Sequence, residues 1–219
     1  METIPLLDLI LVGLWTAVWC FFHSWFVSHR WRNLVRRHFP RYHVFNRLLY
    51  VVFSTFSLGL LMLWIRTLPT VTLFAWPGWW TWVRWLGVTE AIFLFWLGTR
   101  GYDNRSFLGL TQALDYLRKN PTREPPFRST GILAIIRHPW YTGTLVLLIF
   151  CLPYTDTNLV WRSVFLVYTL IGTELEERKL LKDFGAAYAV YRSEVPRFFP
   201  DPRTLWRPPS GSNPAGDGS

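Results

Sequence analysis

Long apolar blocks constrain this chain more than any other feature of its sequence. They occupy residues 6–27, 48–68 and 82–99, and shorter segments rich in arginine separate them. A helix of about 20 apolar residues crosses the hydrocarbon core of a bilayer and satisfies its own backbone hydrogen bonds there. A hydrophobic content of 51% would also suit a soluble domain, so the grouping of the apolar residues is the informative observation. This grouping predicts an all-α fold and a polytopic membrane protein.

Two shorter apolar runs follow in the second half of the chain, at residues 144–152 and 159–171. Neither reaches the length of a span alone, so we predict a helical hairpin whose second arm continues as a cytoplasmic helix. The chain then has about five transmembrane helices. We divide it into a three-span region at 1–100, a catalytic core at 101–200 and a disordered tail at 201–219, which is rich in Pro, Gly and Ser.

Basic residues indicate the orientation of the predicted spans. The net charge is +9, and the densest cluster lies between the first two apolar blocks: Arg30, Arg32, Arg36, Arg37, Arg41 and Arg47. By the positive-inside rule this connection is cytoplasmic, which places the N-terminus outside and the C-terminus inside. Because the bases flank apolar spans, we expect membrane lipids as their partners and no nucleic acid. A bacterial inner membrane is the expected location, and the sequence leaves the oligomeric state open.

Few reactive side chains lie within the apolar blocks. His23 stands near the end of the first block and Glu90 near the middle of the third. Ionisable groups at such depth are unfavourable and often mark sites, so both are candidate catalytic residues. The alternatives are a hydrogen-bonded histidine near the interface and a protonated carboxyl group held between spans. Cys20 and Cys151 stand alone, so we expect no metal site and no disulfide framework.

The heptapeptide Arg-His-Pro-Trp-Tyr-Thr-Gly at residues 137–143 lies where a basic segment meets an apolar run. Pro139 fits the first turn of a helix and His138 the cap before it. The free N–H groups and positive dipole end of that helix would suit a carboxylate or phosphate, and Arg137 adds a formal charge there. A polar helix start at a bilayer boundary is the alternative interpretation.

An acidic pair, Glu176 and Glu177, follows the second arm of the predicted hairpin. On a helix, one face would carry Glu177, Leu181, Phe184, Tyr188 and Tyr191. Ordinary amphipathic packing explains the apolar middle of this face, but it does not explain a carboxylate at its head. Glu177 is therefore a candidate functional residue.

These two regions together resemble a known superfamily. His138-Pro139-x-Tyr141-x-Gly143 resembles the cofactor motif of the isoprenylcysteine carboxyl methyltransferases and phospholipid methyltransferases. The superfamily's C-terminal signature is similar to Glu176-Glu177, Leu180, Phe184-Gly185, Tyr188, Tyr191 and Val195-Pro196. The first half resembles the bacterial branch that holds methanethiol S-methyltransferases, through Phe22-His23-Ser24, Tyr50 and Gly109-Leu110-Thr111-Gln112.

The resemblance implies S-adenosylmethionine bound at the cytoplasmic face and an acceptor that enters from the bilayer. The cofactor-binding residues that we expect are Gln112, Arg137, His138, Pro139, Trp140, Tyr141, Gly143, Glu176, Glu177 and Tyr188. The catalytic candidates are Glu177, which would also contact the cofactor, with His23 and Glu90. The sequence does not identify which residue acts as the general base.

Two departures from the family pattern bear on the substrate. Leu133 stands where an aromatic residue often precedes the motif, and Thr173 stands where the carboxyl methyltransferases have an arginine. That arginine would suit a carboxylate acceptor, so its absence argues against a prenylcysteine substrate. We expect methylation of a small or lipophilic acceptor, and among such acceptors a thiol is favoured, which makes the reaction an S-methylation. The alternatives are an NADPH-dependent reductase of the sterol-reductase type, which has a similar His-Pro-x-Tyr-x-Gly stretch, and a non-catalytic scaffold or transporter.

Overall fold

A computed structural model describes residues 5–121, 127 and 129–202, and within these ranges the chain is mostly helical. The predicted tail at 201–219 lies almost entirely outside the described residues. The helices are α1 (Leu6–Val27), α2 (His29–His38), α3 (Asn46–Thr67), α4 (Trp80–Gly101), α5 (Asn104–Leu108), α6 (Leu110–Leu117), α7 (Pro139–Phe150) and α8 (Asp156–Glu194). Short 3-10 turns lie at His43–Phe45 and Gly131–Ala134, and two short strands are β1 (Thr72–Phe74) and β2 (Tyr154–Thr155).

Each of the three long apolar blocks forms one helix of 22 residues, namely α1, α3 and α4. In the described part of the chain, two helical segments are long and apolar enough to cross a membrane, Leu6–Val27 and His43–Thr67. Helix α7 is apolar but shorter. Much of the surface of α1 and α3 is apolar and exposed, as with Leu14 and Phe56. Large exposed apolar faces are unusual on soluble monomers and typical of helices that face lipid.

Helices α4 and α7 pack closely because glycines stand where their backbones approach. A Cβ atom built on Gly98 would lie 2.2 Å from the indole nitrogen of Trp140, and one built on Gly87 would lie 2.3 Å from the Phe150 ring. A Cβ atom on Gly143 would lie 3.2 Å from the carbonyl oxygen of Ala91. Since Trp140 and Gly143 belong to the heptapeptide, this packing fixes the start of α7 against α4.

The Gly98→Ala variant tests this packing. We expect it to lose about 1–3 kcal/mol of stability, because the new methyl group must displace the Trp140 ring that packs against Gly98. Thermal unfolding of the purified protein in detergent measures the change. Gly59→Ala is the matched control, since a Cβ atom there meets no described atom within 4 Å. Equal melting temperatures for the two variants would contradict the close approach of α4 and α7.

The predicted helical hairpin is formed by α7 and α8, and its turn is held from several sides. Strand β1 pairs antiparallel with β2, with Thr72 opposite Thr155. The guanidinium of Arg84 donates to the carbonyl oxygen of Cys151 at 2.9 Å, and that of Arg162 donates to Leu152 O at 3.0 Å. These contacts satisfy carbonyl groups that the end of α7 leaves without helical partners.

Helix α8 is not straight, and this corrects the predicted single face from Glu177 to Tyr191. Gly185 interrupts the helix with φ 55° and ψ −128°, a backbone conformation that glycine adopts readily. Leu181, expected in the middle of the face, is 39% exposed, whereas Tyr188 and Tyr191 are buried. The change of direction at Gly185 returns the end of α8 toward the start of α7.

Candidate active site

Glu177 is completely buried and lies at the centre of a network of ion pairs. Its Oε1 atom accepts from Arg137 Nη2 at 2.7 Å, from Arg137 Nε at 2.9 Å and from His138 Nε2 at 3.1 Å. Its Oε2 atom accepts from Arg197 Nη2 at 2.8 Å and lies 3.2 Å from Arg192 Nε. Protein donors therefore use both carboxylate oxygens. In this structure Glu177 therefore holds the start of α7 and the residues after α8 together, and its contact with the cofactor stays a prediction.

The charges in this network are set by its neighbours. Burial alone raises the pKa of the Glu177 carboxyl group, but hydrogen bonds from Arg197 and Arg137 outweigh it and hold the pKa at about 2. Burial lowers the pKa of His138, and attraction to Glu176 and Glu177 does not offset it. His138 is then a neutral imidazole at neutral pH. Since the Glu177 carboxylate only accepts, the imidazole carries its proton on Nε2.

The residues after α8 close over the start of α7; we call residues 195–198 the C-terminal strap. The backbone N–H of Arg137 donates to Pro196 O at 2.9 Å, and that of His138 donates to Arg197 O at 3.2 Å. The Thr142 hydroxyl donates to Phe198 O at 2.9 Å. The strap thus covers part of the start of α7, where the sequence predicted free N–H groups that would suit a carboxylate or phosphate.

A second acidic contact lies beside this network. The Tyr141 hydroxyl donates to Glu176 Oε2 at 2.5 Å, and the Glu176 carboxylate is only half-buried. The nearby Tyr102 ring packs on Trp140 with 4.7 Å between ring centroids. Burial and the Glu176 carboxylate raise the pKa of Tyr102, so its hydroxyl stays protonated. A carboxyl group bordered by aromatic rings can bind a cationic group.

Gln112 Oε1 of α6 and Tyr188 Oη of α8 are buried polar atoms that lack a hydrogen-bond partner among the described residues. Tyr188 is 1% exposed, and burial, followed by the nearby Glu177 carboxylate, raises its pKa to about 12. An unpaired buried polar atom costs roughly 1–3 kcal/mol, so such atoms call for an explanation. A bound ligand would supply the missing partners.

The remaining residues of the heptapeptide have structural contacts. Pro139 is buried at the first position of α7, as expected. Trp140 donates from its indole nitrogen to Phe95 O at 3.1 Å, which orients the ring toward α4. Gly143 is buried against Ala91, so it acts through close packing. Arg137 is 9% exposed, and its guanidinium donates hydrogen bonds to the Glu177 carboxylate and to the carbonyl oxygen of Arg192 near the end of α8.

The other two catalytic candidates lie elsewhere. His23 is half-buried, and its Nε2 atom lies 2.7 Å from the Tyr50 hydroxyl of α3. Glu90 is exposed on α4, and no hydrogen bond or ion pair to another described residue involves it. The structure therefore joins Arg137, His138 and Glu177, places His23 in a separate cluster and leaves Glu90 apart from both.

Sequence reasoning missed Arg192, Arg197 and Tyr102. The two arginines complete the ion pairs of Glu177, and Tyr102 borders Glu176. No regular spacing links either arginine to Glu177, because the break at Gly185 and the strap bring them back. The basic residues that flank Val195-Pro196 were the one available signal.

Neither a protein-family model nor a solved structure matches the chain. The methanethiol S-methyltransferase of Pseudomonas sp. strain GM41(2012) is 30% identical over 202 residues, which cover 89% of this chain and 73% of that protein. That of Pseudomonas deceptionensis is 34% identical over 125 residues, or 54% of this chain and 48% of the relative. Methanethiol S-methyltransferase 2 of Bradyrhizobium diazoefficiens is 31% identical over 164 residues, which cover 71% of this chain and 60% of that protein.

The chain thus spans between about half and three quarters of the length of these three relatives. The first alignment covers 89% of this chain, so it includes the heptapeptide and the acidic pair, which lie well away from both ends. The similarity agrees with the resemblance found in the motifs. The chain therefore belongs to the methanethiol S-methyltransferase family of methyltransferase enzymes, within the isoprenylcysteine carboxyl methyltransferase-like branch.

Proposed function

We propose that the chain is an integral membrane methyltransferase that uses S-adenosylmethionine to methylate a small thiol. The observation that carries this proposal is the meeting of the heptapeptide with the acidic pair of α8. Arg137 and His138 hold Glu177, while Tyr141 holds Glu176 beside it. Two distant sequence motifs thus form one polar site in a largely apolar protein. The relatives are methanethiol S-methyltransferases, and this activity supplies the reaction class.

The residues present suit S-adenosylmethionine. Bound there, it supplies an electrophilic methyl group on a sulfonium, which departs as a neutral thioether. Glu176 offers a half-buried carboxylate for the ammonium or sulfonium charge, and the Tyr141 hydroxyl orients that carboxylate. Gln112 Oε1 and Tyr188 Oη offer unpaired hydrogen-bonding atoms for the nucleoside. Glu177 acts indirectly, since its ion pairs set the position of His138 and α7.

The proposed arrangement in the membrane has five spans, with the N-terminus outside and the site at the cytoplasmic surface of a bacterial inner membrane. The exposed apolar faces of α1 and α3 support it. Helix α2, which carries Arg30, Arg32, Arg36 and Arg37, would lie along anionic lipid headgroups. This orientation puts the strap and the acidic pair on one side of the bilayer.

A thiol acceptor is favoured over a carboxylate. Thr173 is completely buried, and its hydroxyl donates to Thr169 O at 2.7 Å, so this position offers no cation to an acceptor. The arginines near Glu177 are already engaged by Glu177 and Glu174. A small neutral thiol can reach such a site through the bilayer without a charged anchor.

A methyl-transfer assay tests the proposal. Protein purified in detergent is incubated with methyl-labelled S-adenosylmethionine and, separately, methanethiol, a lipid amine and a prenylated cysteine. We expect labelled dimethyl sulfide from methanethiol and no transfer to the other two acceptors. Transfer only to the lipid amine would overturn the thiol assignment. Tight NADPH binding without S-adenosylmethionine binding would replace the methyltransferase with a reductase.

A further inference from the structure

A cluster of polar side chains joins three helices within the apolar region. His23 of α1 contacts the Tyr50 hydroxyl of α3, at 2.7 Å from Nε2 and 3.2 Å from Nδ1. Ser24 of α1 shares a hydrogen bond of 3.0 Å with the Tyr168 hydroxyl of α8. The His23 and Tyr168 rings lie 6.0 Å apart. This intramembrane cluster takes no part in the ion pairs around Glu177.

Gly172 lies between this cluster and the Tyr141–Glu176 contact. Tyr168, Gly172 and Glu176 are spaced by four residues on α8, so they lie along one helix face. Eight residues of helix rise by about 12 Å between Tyr168 and Glu176. A Cβ atom built on Gly172 would meet no described heavy atom within 4 Å, so this part of the face is open. A larger side chain would fill that space.

The open face has the two ends that a thiol acceptor requires. At one end, Glu176 and Tyr141 form the site where we place the methyl donor. At the other end, the Tyr50–His23 pair offers a hydroxyl hydrogen-bonded to an imidazole, which can receive a proton. A thiol lodged over Gly172 would have the electrophile on one side and the proton acceptor on the other.

We propose that the space over Gly172 is the acceptor-thiol subsite and that the Tyr50–His23 pair removes the thiol proton. The inference rests on the proposed function and assigns its acceptor side. Gly172 limits the size of the acceptor, because any side chain there would project into the subsite.

The proton and methyl transfers balance as follows. The S–H bond breaks and its electron pair stays on sulfur, while the proton passes to Tyr50 Oη as the Tyr50 hydroxyl proton passes to His23 Nε2. The thiolate lone pair forms the new bond to the methyl carbon. The bond between that carbon and the sulfonium breaks, and its electrons neutralise the sulfonium sulfur. A methyl thioether and a protonated His23 result.

The Gly172→Leu variant tests the subsite, with Gly59→Leu as the matched control. Both glycines lie on helices and meet no described atom within 4 Å of an added Cβ. We expect Gly172→Leu to raise the KM for methanethiol, or lower kcat/KM, by more than about tenfold. Its affinity for S-adenosylhomocysteine, measured by titration calorimetry, should match that of the wild type. Gly59→Leu should change neither quantity.

Unchanged methanethiol kinetics in Gly172→Leu, or a matching loss of S-adenosylhomocysteine affinity, would overturn the subsite. If the leucine variant fails to fold, Gly172→Ala replaces it. The alanine variant should discriminate more strongly than the wild type against 1-butanethiol relative to methanethiol, and an unchanged ratio would overturn the proposal. A wild-type protein that methylates no thiol would refute the proposed function itself, before any variant is compared.

The His23→Gln variant tests the proton transfer, with His38→Gln as its control. His38 is exposed and contacts only the Leu34 carbonyl among the described hydrogen bonds. We expect His23→Gln to lower kcat for ethanethiol by about 10²-fold or more. The more acidic 2,2,2-trifluoroethanethiol needs less help to ionise, so its kcat should fall much less. Equal losses for the two thiols would indicate a packing role and would overturn this assignment.

Discussion

The Glu177→Ala variant is expected to be about 3–5 kcal/mol less stable than the wild type. We also expect its methyl-transfer activity to fall below detection. Removing this carboxylate leaves Arg137 buried without its counter-ion and releases Arg197 of the strap. Removing one partner of a buried ion pair is far more destabilising than removing an exposed pair, because the remaining charge stays buried without a counter-ion. Thermal unfolding in detergent and the methyl-transfer assay measure the two losses.

Glu174→Ala is the matched control for this variant. Glu174 also pairs with Arg197, at 2.9 Å, but its side chain is 36% exposed and its other partner, Arg178, lies at the surface. We expect its removal to change stability by less than about 1 kcal/mol. If Glu177→Ala and Glu174→Ala unfold at the same temperature, the buried ion pairs do not organise the site.

The Tyr141→Phe variant is expected to keep its fold and to bind S-adenosylhomocysteine about 10- to 100-fold more weakly. It removes a hydrogen bond of 2.5 Å to the Glu176 carboxylate, and hydrogen bonds to charged groups contribute roughly 1.5–3 kcal/mol. Without the hydroxyl, Glu176 is free to rotate away from the ligand. Titration calorimetry with the purified variant measures the affinity.

Tyr154→Phe controls for the loss of a tyrosine hydroxyl. Tyr154 donates to Ile149 O at 2.9 Å, at the opposite end of α7 from the proposed site. We expect its affinity for S-adenosylhomocysteine to match that of the wild type. Wild-type affinity in Tyr141→Phe would show that the Tyr141–Glu176 contact does not form part of the cofactor site.

Local features of the sequence were enough to predict the helices and the start of α7. Apolar blocks of span length became α1, α3 and α4, with boundaries within about two residues of the predicted ones. Pro139 stands at the first position of α7 because its fixed φ suits a helix start. These predictions depend only on neighbouring residues, and local chemistry determines them.

The interaction partners of each site residue depend on tertiary contacts, so they could not be predicted from neighbouring residues. A glycine within an amphipathic pattern is compatible with a continuous helix, so the break at Gly185 left no clear signal. Because the break was not predicted, the contact between Arg192 and Glu177 could not be predicted either. The sequence therefore contained no sign that both carboxylate oxygens of Glu177 pair with arginines and His138.

Glu90 shows the same limit on α4. Its depth in the third apolar block followed from counting residues, but its direction did not. The buried face of α4 carries Gly87, Ala91, Leu94 and Gly98, and only the packing of α7 reveals that face. Glu90 lies outside it and is exposed, so depth alone did not determine which way this side chain faces.

Photolabelling with methyl-labelled S-adenosylmethionine tests the central claim most directly, because it locates the bound cofactor in the wild-type protein. After ultraviolet irradiation and digestion with trypsin, residues 138–162 form one peptide that contains Trp140 and Tyr141. We expect label in this peptide and its loss when excess unlabelled S-adenosylhomocysteine is present. Label confined to residues 1–100, or label that S-adenosylhomocysteine does not displace, would contradict a cofactor site between α7 and the acidic pair of α8.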